Sequence, residues 1–169
     1  MELQKVDVRS LEFNPFSKIQ EQWALVGAGT MDSFNMMTVN WGGLGVIWFK
    51  DVCTVYVRES RYTKEFMDKN ELFTLTFLKS GHEDALKLCG AKSGRDMDKM
   101  KASGLTPIPL DGTVGFAESE LTFVCRKLYC GELSKENFMY EETLREAYPE
   151  GDYHTMYIGE IVAVYAAKS

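Results

Sequence analysis

The chain has 169 residues, enough for one domain with a sizeable core and barely enough for two. Hydrophobic residues make up 45% and charged residues 26%, a balance that excludes a disordered or collagen-like chain. The net charge of −6 argues against broad attraction to nucleic acid or to an anionic membrane surface. We therefore expect a single domain over residues 1–169, with no nucleic-acid or membrane partner.

The start of the chain and its cysteines indicate a cytoplasmic protein. The first thirty residues contain acids and no apolar run of signal-peptide length, and no stretch approaches the roughly 18 apolar residues of a membrane span. The cysteines show no Cys-x-x-Cys spacing, and only two histidines could complete a metal site. We expect no metal, and we expect buried free thiols at Cys53, Cys89, Cys125 and Cys130.

In the first half of the chain, short strands alternate with short helices. Asn14 is typical of a helix N-cap and Pro15 of the first helical position, so the sequence predicts a short turn or helix up to Gln22. Residues 23–29 and 35–41 then predict a β-hairpin, and the glycines of 42–45 predict a chain break. Beyond the break, we expect strands at 52–58 and 72–78 and a helix at 62–69.

The second half follows the same pattern. Residues 82–88 and 96–102 predict short helices, the second of which is closed by Gly104. Residues 121–133 predict a long strand, 135–148 a helix that ends before Pro149, and 154–166 the closing strand. These helices are mostly shorter than the dozen or so residues of a parallel crossover. The fold class is therefore mainly β with short helices, in an antiparallel barrel.

A Gly-x-Gly at Gly27 and Gly29 follows a predicted strand, as in dinucleotide-binding folds. The third glycine of that fingerprint would fall at Asp32, and the next segment is a predicted strand instead of a helix. We interpret the two glycines as small residues that let strands approach closely.

Two basic segments stand out in this acidic chain, because residues 56–64 and 92–101 each have a net charge of +2. Each places cations and a hydroxyl beside a predicted helix start, where backbone N–H groups and arginine donors complement a phosphate. The alternative for residues 56–64 is a solvated charged turn. The alternative for residues 92–101 is an ordinary helix start with Lys99 exposed. Together they favour one shared anionic ligand.

A third candidate segment is the strand at 35–41, which carries amides, a hydroxyl and Trp41 and could line a flat heterocycle. Core packing followed by a turn is its alternative. His154 has no Ser-His-Asp or Cys-His arrangement around it, so we interpret it as a structural or ligand-contacting histidine.

Together these segments resemble the flavin reductase-like family, whose members form FMN-binding split barrels and include flavoredoxin. The resemblance spans nearly the whole chain, and one of its motifs is commonly Asn-Thr-Met-Thr where this chain has Met36 in second place. The segments that carry it are Asn14-Pro15-Phe16, Trp23-Ala24-Leu25-Val26, Asn35-Met36-Met37-Thr38-Val39-Asn40-Trp41-Gly42, Arg61-Tyr62-Thr63-Lys64-Glu65-Phe66, Ser93-Gly94-Arg95-Asp96 with Lys99, and Asp152-Tyr153-His154-Thr155 with Gly159-Glu160.

The resemblance implies an antiparallel split barrel that binds FMN as a homodimer, with the flavin near the subunit interface. It puts the phosphate near Arg58, Arg61, Tyr62 and Thr63, with Lys92, Ser93 and Arg95 approaching the same ligand. It puts the isoalloxazine along Asn35, Met36, Met37, Thr38, Val39, Asn40 and Trp41, and we take His154 as the candidate for contact with a nicotinamide.

The implied activity is NAD(P)H-dependent reduction of the flavin by hydride transfer to its N5 atom, followed by delivery of electrons to an acceptor. Two alternatives stay open at this point. One is a flavoredoxin-like carrier with permanently bound FMN that a protein partner reduces. The other is a non-catalytic ligand-binding barrel.

Overall fold

The structure is a computed structural model, and it describes residues 2–168. Its strands are β1 (Leu3–Val6), β2 (Ala24–Thr30), β3 (Ser33–Val39), β4 (Gly42–Ile47), β5 (Lys50–Arg58), β6 (Leu72–Leu78), β7 (Pro107–Leu110), β8 (Thr113–Phe116), β9 (Ser119–Glu132) and β10 (His154–Ala167). Its helices are α1 (Pro15–Gln20), α2 (Tyr62–Lys69), α3 (Glu83–Ala91), α4 (Lys99–Ser103) and α5 (Glu141–Ala147), with single 3-10 turns at Val8–Ser10 and Lys135–Asn137.

Eight of the strands form one antiparallel sheet in the order β3-β2-β6-β9-β10-β5-β4, with β1 paired to the far end of β10. The two longest strands, β9 and β10, pair with each other through two register shifts, one of them beside Gly159. A Cβ at Gly159 would lie 2.6 Å from the ring of Phe73, so only glycine lets the sheet curl this tightly around its core. The mainly β, antiparallel fold class is thereby confirmed.

The core lies inside this curled sheet. Its largest side chains include Phe73, Phe77, Phe123 and Tyr157, which are fully buried together with the valines of β5. The small residues of β2 behave as predicted, since a Cβ at Gly27 would lie 2.8 Å from Thr74 Oγ1. This packing holds the paired strands β2 and β3 against helix α2.

The glycine-rich segment 42–45 does not break the chain, so that expectation was wrong. It begins strand β4, where Gly42 pairs with Val55 and Leu44 with Cys53 of β5. None of these glycines has a positive φ angle. The ladder of hydrogen bonds from β5 outweighs the low strand propensity of glycine, and a Cβ at Gly42 would lie 2.8 Å from the carbonyl oxygen of Thr54.

The helix expected over residues 135–148 was also wrong, because the segment forms a 3-10 turn followed by α5. The rings of Phe138 and Tyr148 lie 5.7 Å apart. Ten residues of continuous helix would separate them by about 15 Å, so this contact requires the helix to be interrupted.

Three smaller expectations also differ from the structure. Cys130 is exposed, because the second half of β9 runs past the core, whereas Cys53, Cys89 and Cys125 are buried free thiols as expected. Helices α3 and α4 begin later than predicted, at Glu83 and Lys99. The sequence pattern also missed β1 and the β7–β8 hairpin, whose prolines at 107 and 109 are unusual in strands.

Candidate active site

Two neighbouring cavities lie where β3, α2, the end of α3 and the start of β10 meet. The first, about 180 Å³ in volume, we call the strand cleft; it is lined by Met37, Thr38, Val39, Asn40, Trp41, Tyr56, Arg58, Arg61, Gly90 and His154. The second, about 210 Å³, we call the anion pocket; it is lined by Ser60, Arg61, Tyr62, Thr63, Ala91, Lys92, Ser93, Asp96 and Lys99. Arg61 belongs to both, so one ligand could reach from one cavity into the other.

The anion pocket concentrates positive charge at the start of α2. Arg61 is the residue before that helix, and its guanidinium donates to the carbonyl oxygen of Cys89 at 3.3 Å. Burial lowers the pKa of Arg61. The charge of Asp152 raises this pKa in part, and the charge of Arg58 lowers it. The start of α2 has no side-chain cap, and the positive end of the helix adds to this field, so the pocket suits an anion.

Lys99 is a buried cation of this pocket, so the alternative in which its side chain is exposed is wrong. Its Nζ donates to the carbonyl oxygens of Met36 at 2.9 Å and Cys89 at 3.0 Å. Burial lowers the pKa of Lys99 to about 8. The side chain thus ties β3 to the end of α3 and brings an ammonium group to the wall of the pocket.

Asn35, Thr63 and Gly94 lock the elements around the pocket together. The Asn35 amide donates to Thr63 Oγ1 at 2.8 Å, and both side chains are buried. A Cβ at Gly94 would lie 2.3 Å from Asn35 Oδ1 and 3.0 Å from the Tyr62 ring. Only glycine allows the loop before α4 to pass this close, so these residues shape the pocket more than they present free donors.

Strand β3 offers mainly its backbone to the strand cleft. The side chain of Met36 lies in a core cluster with Leu25, and those of Met37 and Val39 lie in the main core. The Thr38 hydroxyl donates to the carbonyl oxygen of Leu86. The absence of a hydroxyl at position 36 therefore leaves an apolar side chain in the core instead of a gap in the cleft.

Arg58 lines the strand cleft, but its guanidinium already has partners. It donates to the carbonyl oxygens of Asp152 at 2.7 Å and Ala147 at 3.1 Å, and it lies 5.1 Å from the centre of the Tyr148 ring. The Asp152 carboxylate in turn accepts from the backbone N–H and the hydroxyl of Ser60. Arg58 therefore braces the segment before β10 against the start of α2.

The segment 92–95 divides between the pocket and the surface. Lys92 and Ser93 line the anion pocket, as the resemblance implies. Arg95 is exposed and lies outside the lining; it donates to Glu65 at 2.5 Å and lies 4.9 Å from the centre of the Tyr62 ring. The structure thus brings the predicted residues to one region, with Arg95 on its outer side.

His154 lies buried at the far end of the strand cleft. Its Nδ1 and the Tyr148 hydroxyl are hydrogen-bonded at 2.7 Å, and its ring lies 5.2 Å from that of Trp41. Burial, aided by the charge of Arg58, lowers the pKa of His154 to about 4. The imidazole is therefore neutral at pH 7.

A larger groove of about 630 Å³ opens beside the strand cleft and shares Asn40, Trp41 and Tyr56 with it. We call it the neutral groove, because none of the described residues that line it carries a charge. The lining residues are Pro15, Phe16, Ile19, Gln20, Asn40, Trp41, Gly42, Gly43, Leu44, Tyr56, Leu133 and Tyr148.

The sequence profile of the flavin reductase like domain matches residues 16–169. The chain belongs to this family. No curated protein sequence matches the chain well enough to count as a relative. The split barrel that the resemblance implied is confirmed, because FMN-binding split-barrel proteins of this family are among the structural neighbours.

Three solved structures illustrate the similarity of fold. The FMN-binding domain of a flavin reductases-like enzyme from Shewanella baltica is 15% identical, with 98% of this chain and 77% of that chain covered and a TM-score of 0.69. Flavoredoxin from Methanosarcina acetivorans is 24% identical, with 87% and 69% covered and a TM-score of 0.66. Nitrilotriacetate monooxygenase component B from Bacillus cereus is 16% identical, with 86% and 69% covered and a TM-score of 0.67.

Several residues that line the two cavities were not named as site residues from the sequence. They are Tyr56, Ser60, Gly90, Ala91, Asp96 and Lys99. Lys99 had a signal, since it belongs to a segment that carries the resemblance. Tyr56 and Gly90 had none, because only the pairing of β5 with β10 and the packing of α3 on β3 bring them to the cleft.

Residues 2–168 contain no group of three or more His, Cys, Asp or Glu side chains arranged to hold a metal ion. They also contain no helix long and apolar enough to cross a membrane.

Proposed function

We propose that this flavin reductase-like chain is an FMN-binding oxidoreductase that uses NAD(P)H as its reductant. The anion pocket is the observation that carries the proposal. Arg61, Lys92 and Lys99 place three cations, against the single carboxylate of Asp96, around one small cavity. That cavity shares Arg61 with the strand cleft, which residues 37–41 line. A ligand with a phosphate at one end and a flat ring at the other fits this division of charge.

The residues present fit FMN. Arg61, Lys92, Ser93 and Lys99 would hold its phosphate, because all four line the anion pocket. The backbone of residues 37–41 would hold the edge of its ring system. When bound, FMN supplies the redox chemistry by accepting a hydride at N5.

The chain's own residues position the ligand. Lys99 ties β3 to the end of α3, so the wall of the cleft and the anion pocket keep a fixed separation. Arg58 holds the segment before β10 over the cleft. His154 stands at the cleft beside Trp41, where it would contact a nicotinamide as a neutral ring.

We also propose a homodimer in the cytoplasm. The β4–β5 hairpin exposes Val46, Ile47, Trp48 and Phe49, and an apolar projection of this kind is typical of a protein contact surface. The four cysteines are free, as suits a reducing compartment. A protein electron acceptor remains compatible with this arrangement, since two neighbours of similar fold are flavoredoxins.

The decisive test is a flavin titration followed by anaerobic mixing with NADH and then NADPH. We expect FMN to bind and its yellow absorbance to bleach with at least one of the two nucleotides. Binding without bleaching by either would replace the reductase with an electron carrier that a protein partner reduces. Failure of FMN to bind would leave only the non-catalytic barrel.

A further inference from the structure

The neutral groove differs in chemistry from the cavities beside it. Its volume of about 630 Å³ lies in the range of about 300–1,000 Å³ that is usual for small-molecule sites. Its walls include Phe16, Leu44 and Leu133, and its polar groups are uncharged amides and hydroxyls. The groove can therefore desolvate an apolar ligand and offer it neutral hydrogen bonds.

The charge distribution argues against a phosphate-bearing ligand in this groove. A nicotinamide dinucleotide carries phosphates, and phosphates bind where arginine, lysine or helix starts surround them. The cations Arg61, Lys92 and Lys99 line the anion pocket, and none of them lines the groove. Charge complementarity thus assigns anions to the pocket and uncharged molecules to the groove.

Aromatic side chains give the groove a preference for flat ligands. Trp41 is 46% exposed and Phe16 is 80% exposed, so both rings have faces free for stacking. Trp41 and Tyr56 also line the strand cleft. A flat molecule in the groove would therefore lie next to the cleft that we assign to the flavin ring.

We propose that the neutral groove binds an uncharged, flat aromatic molecule, which serves as the electron acceptor of this protein. The role as acceptor rests on the proposed function, whereas the binding itself does not. For a quinone, the balanced reaction is NAD(P)H plus a proton plus quinone to give NAD(P)⁺ plus hydroquinone. The two electrons come from the nucleotide, and the quinone leaves with two protons.

The test compares two redox-silent probes of the same shape, neutral 2-naphthol and anionic naphthalene-2-sulfonate. Their affinities are measured by calorimetry on the full chain, with and without FMN. We expect 2-naphthol to bind about tenfold more tightly than the sulfonate, because a desolvated anion in the groove would lack a counter-charge. Without FMN the sulfonate can also enter the anion pocket, so the decisive comparison is made with FMN bound; equal affinities there, or tighter binding of the sulfonate, would overturn the proposal.

Two glycines of β4 provide a matched pair of variants. Gly43 lines the groove and Gly45 does not, yet a Cβ at either position meets no atom within 4 Å. Gly43→Lys should raise the affinity for the sulfonate about fivefold to tenfold through a partly exposed ion pair. Gly45→Lys should leave the ratio of the two affinities as in the wild type. Equal gains in both variants would mean nonspecific attraction and would overturn the proposal.

Light scattering on the same samples tests the competing occupant, a second copy of this chain. If Gly43→Lys splits a dimer that Gly45→Lys preserves, and neither probe binds, the groove is a subunit interface and the proposal is wrong. The outcomes also separate this inference from the proposed function. If the probes bind but FMN does not, the groove proposal is supported and the FMN-binding function is wrong. If FMN binds but the probes do not, the FMN-binding function is supported and the groove proposal is wrong.

Discussion

The anion pocket and the neutral groove lie on either side of the strand cleft, and they are built in opposite ways. The pocket holds the buried Lys99 and the half-buried Arg61, and the side-chain hydrogen bonds of both go to backbone carbonyls. The groove has apolar and aromatic walls and no charged side chain among the described residues. If the proposed ligands bind as we infer, this contrast would place phosphate on one side of the strand cleft and neutral rings on the other.

The charges of Arg61 and Lys99 stay available because carbonyl groups, not carboxylates, accept their hydrogen bonds. A carboxylate partner would neutralise a lysine or arginine, whereas a carbonyl fixes its position and leaves its charge. Arg95 shows the opposite case, since its ion pair with Glu65 satisfies it at the surface. Replacing each cation therefore tests where the boundary between the two chemistries lies.

The largest effect is expected from Arg61→Ala. The variant should weaken FMN about 100-fold, because hydrogen bonds to a charged group contribute roughly 1.5–3 kcal/mol. Riboflavin, which lacks the phosphate, should lose far less. Fluorescence titration of both flavins measures the difference, and equal weakening would move the phosphate away from Arg61.

Arg95→Ala is the matched control for this experiment. It removes the same charge from a residue that lies nearby but outside the pocket lining. We expect its FMN affinity to stay within about threefold of the wild type, as for a surface ion pair. A loss as large as that of Arg61→Ala would show that the overall positive field, not the pocket, attracts the ligand.

A smaller effect, about tenfold in FMN affinity at pH 7, is expected from Lys99→Met. The pKa of Lys99 is lowered to about 8 by burial, and a bound phosphate would raise it again. Wild-type affinity for FMN should therefore hold steady up to about pH 8 and then fall as the ammonium loses its proton. The variant should show no such fall.

Two measurements check the interpretation of Lys99. Riboflavin affinity should be flat over the same pH range in both proteins, since it offers no phosphate. Circular dichroism should show whether Lys99→Met still folds, because it leaves the carbonyls of Met36 and Cys89 without their donor. A wild-type FMN affinity that does not change up to pH 10 would remove Lys99 from the phosphate site.

The sequence predicted the anion pocket better than the groove, for a physical reason. Arg61 and Lys92 lie in short basic segments at helix ends, and such local patterns are readable along the chain. The groove is assembled from α1, β4, β5 and the segments around Leu133 and Tyr148, which are distant in sequence. Its wall includes the glycines that were mistaken for a break, because only the hydrogen bonds from β5 make them a strand.

Substitutions in the β4–β5 hairpin test whether it forms the contact with a second subunit that we propose. Trp48 and Phe49 occupy a tight turn at φ angles of 52° and 60°, where Asn-Gly is favoured, and Phe49 is fully exposed. Replacing the pair by Asn-Gly should stabilise the monomer by about 1 kcal/mol, because the positive φ angles then cost less. It should also weaken the dimer, as analytical ultracentrifugation would show.

The control for the hairpin is Val162→Thr, which removes an exposed apolar side chain from β10 instead. This variant should keep the association of the wild type. If the Asn-Gly variant associates as strongly as the wild type, the hairpin is not a subunit contact. The exposed aromatic pair would then lack the role that we assign to it.

The smallest effect at neutral pH is expected at the boundary itself, where His154 stands between cleft and groove. Its pKa is lowered to about 4, so hydride transfer should show no ionisation of this residue between pH 5 and 8. The lowered pKa of His154 also predicts that the free energy of unfolding decreases in acid. In the unfolded chain this histidine takes up a proton near pH 6.5, so folding stability should fall as the pH drops from about 6.5 to 4. His154→Asn should lose part of that dependence in thermal melts, whereas His82→Asn should retain it. A rate that titrates near pH 6.5 and becomes flat in His154→Asn would mean that the imidazole is exposed and charged, and the division between charged and neutral sides would fail at this residue.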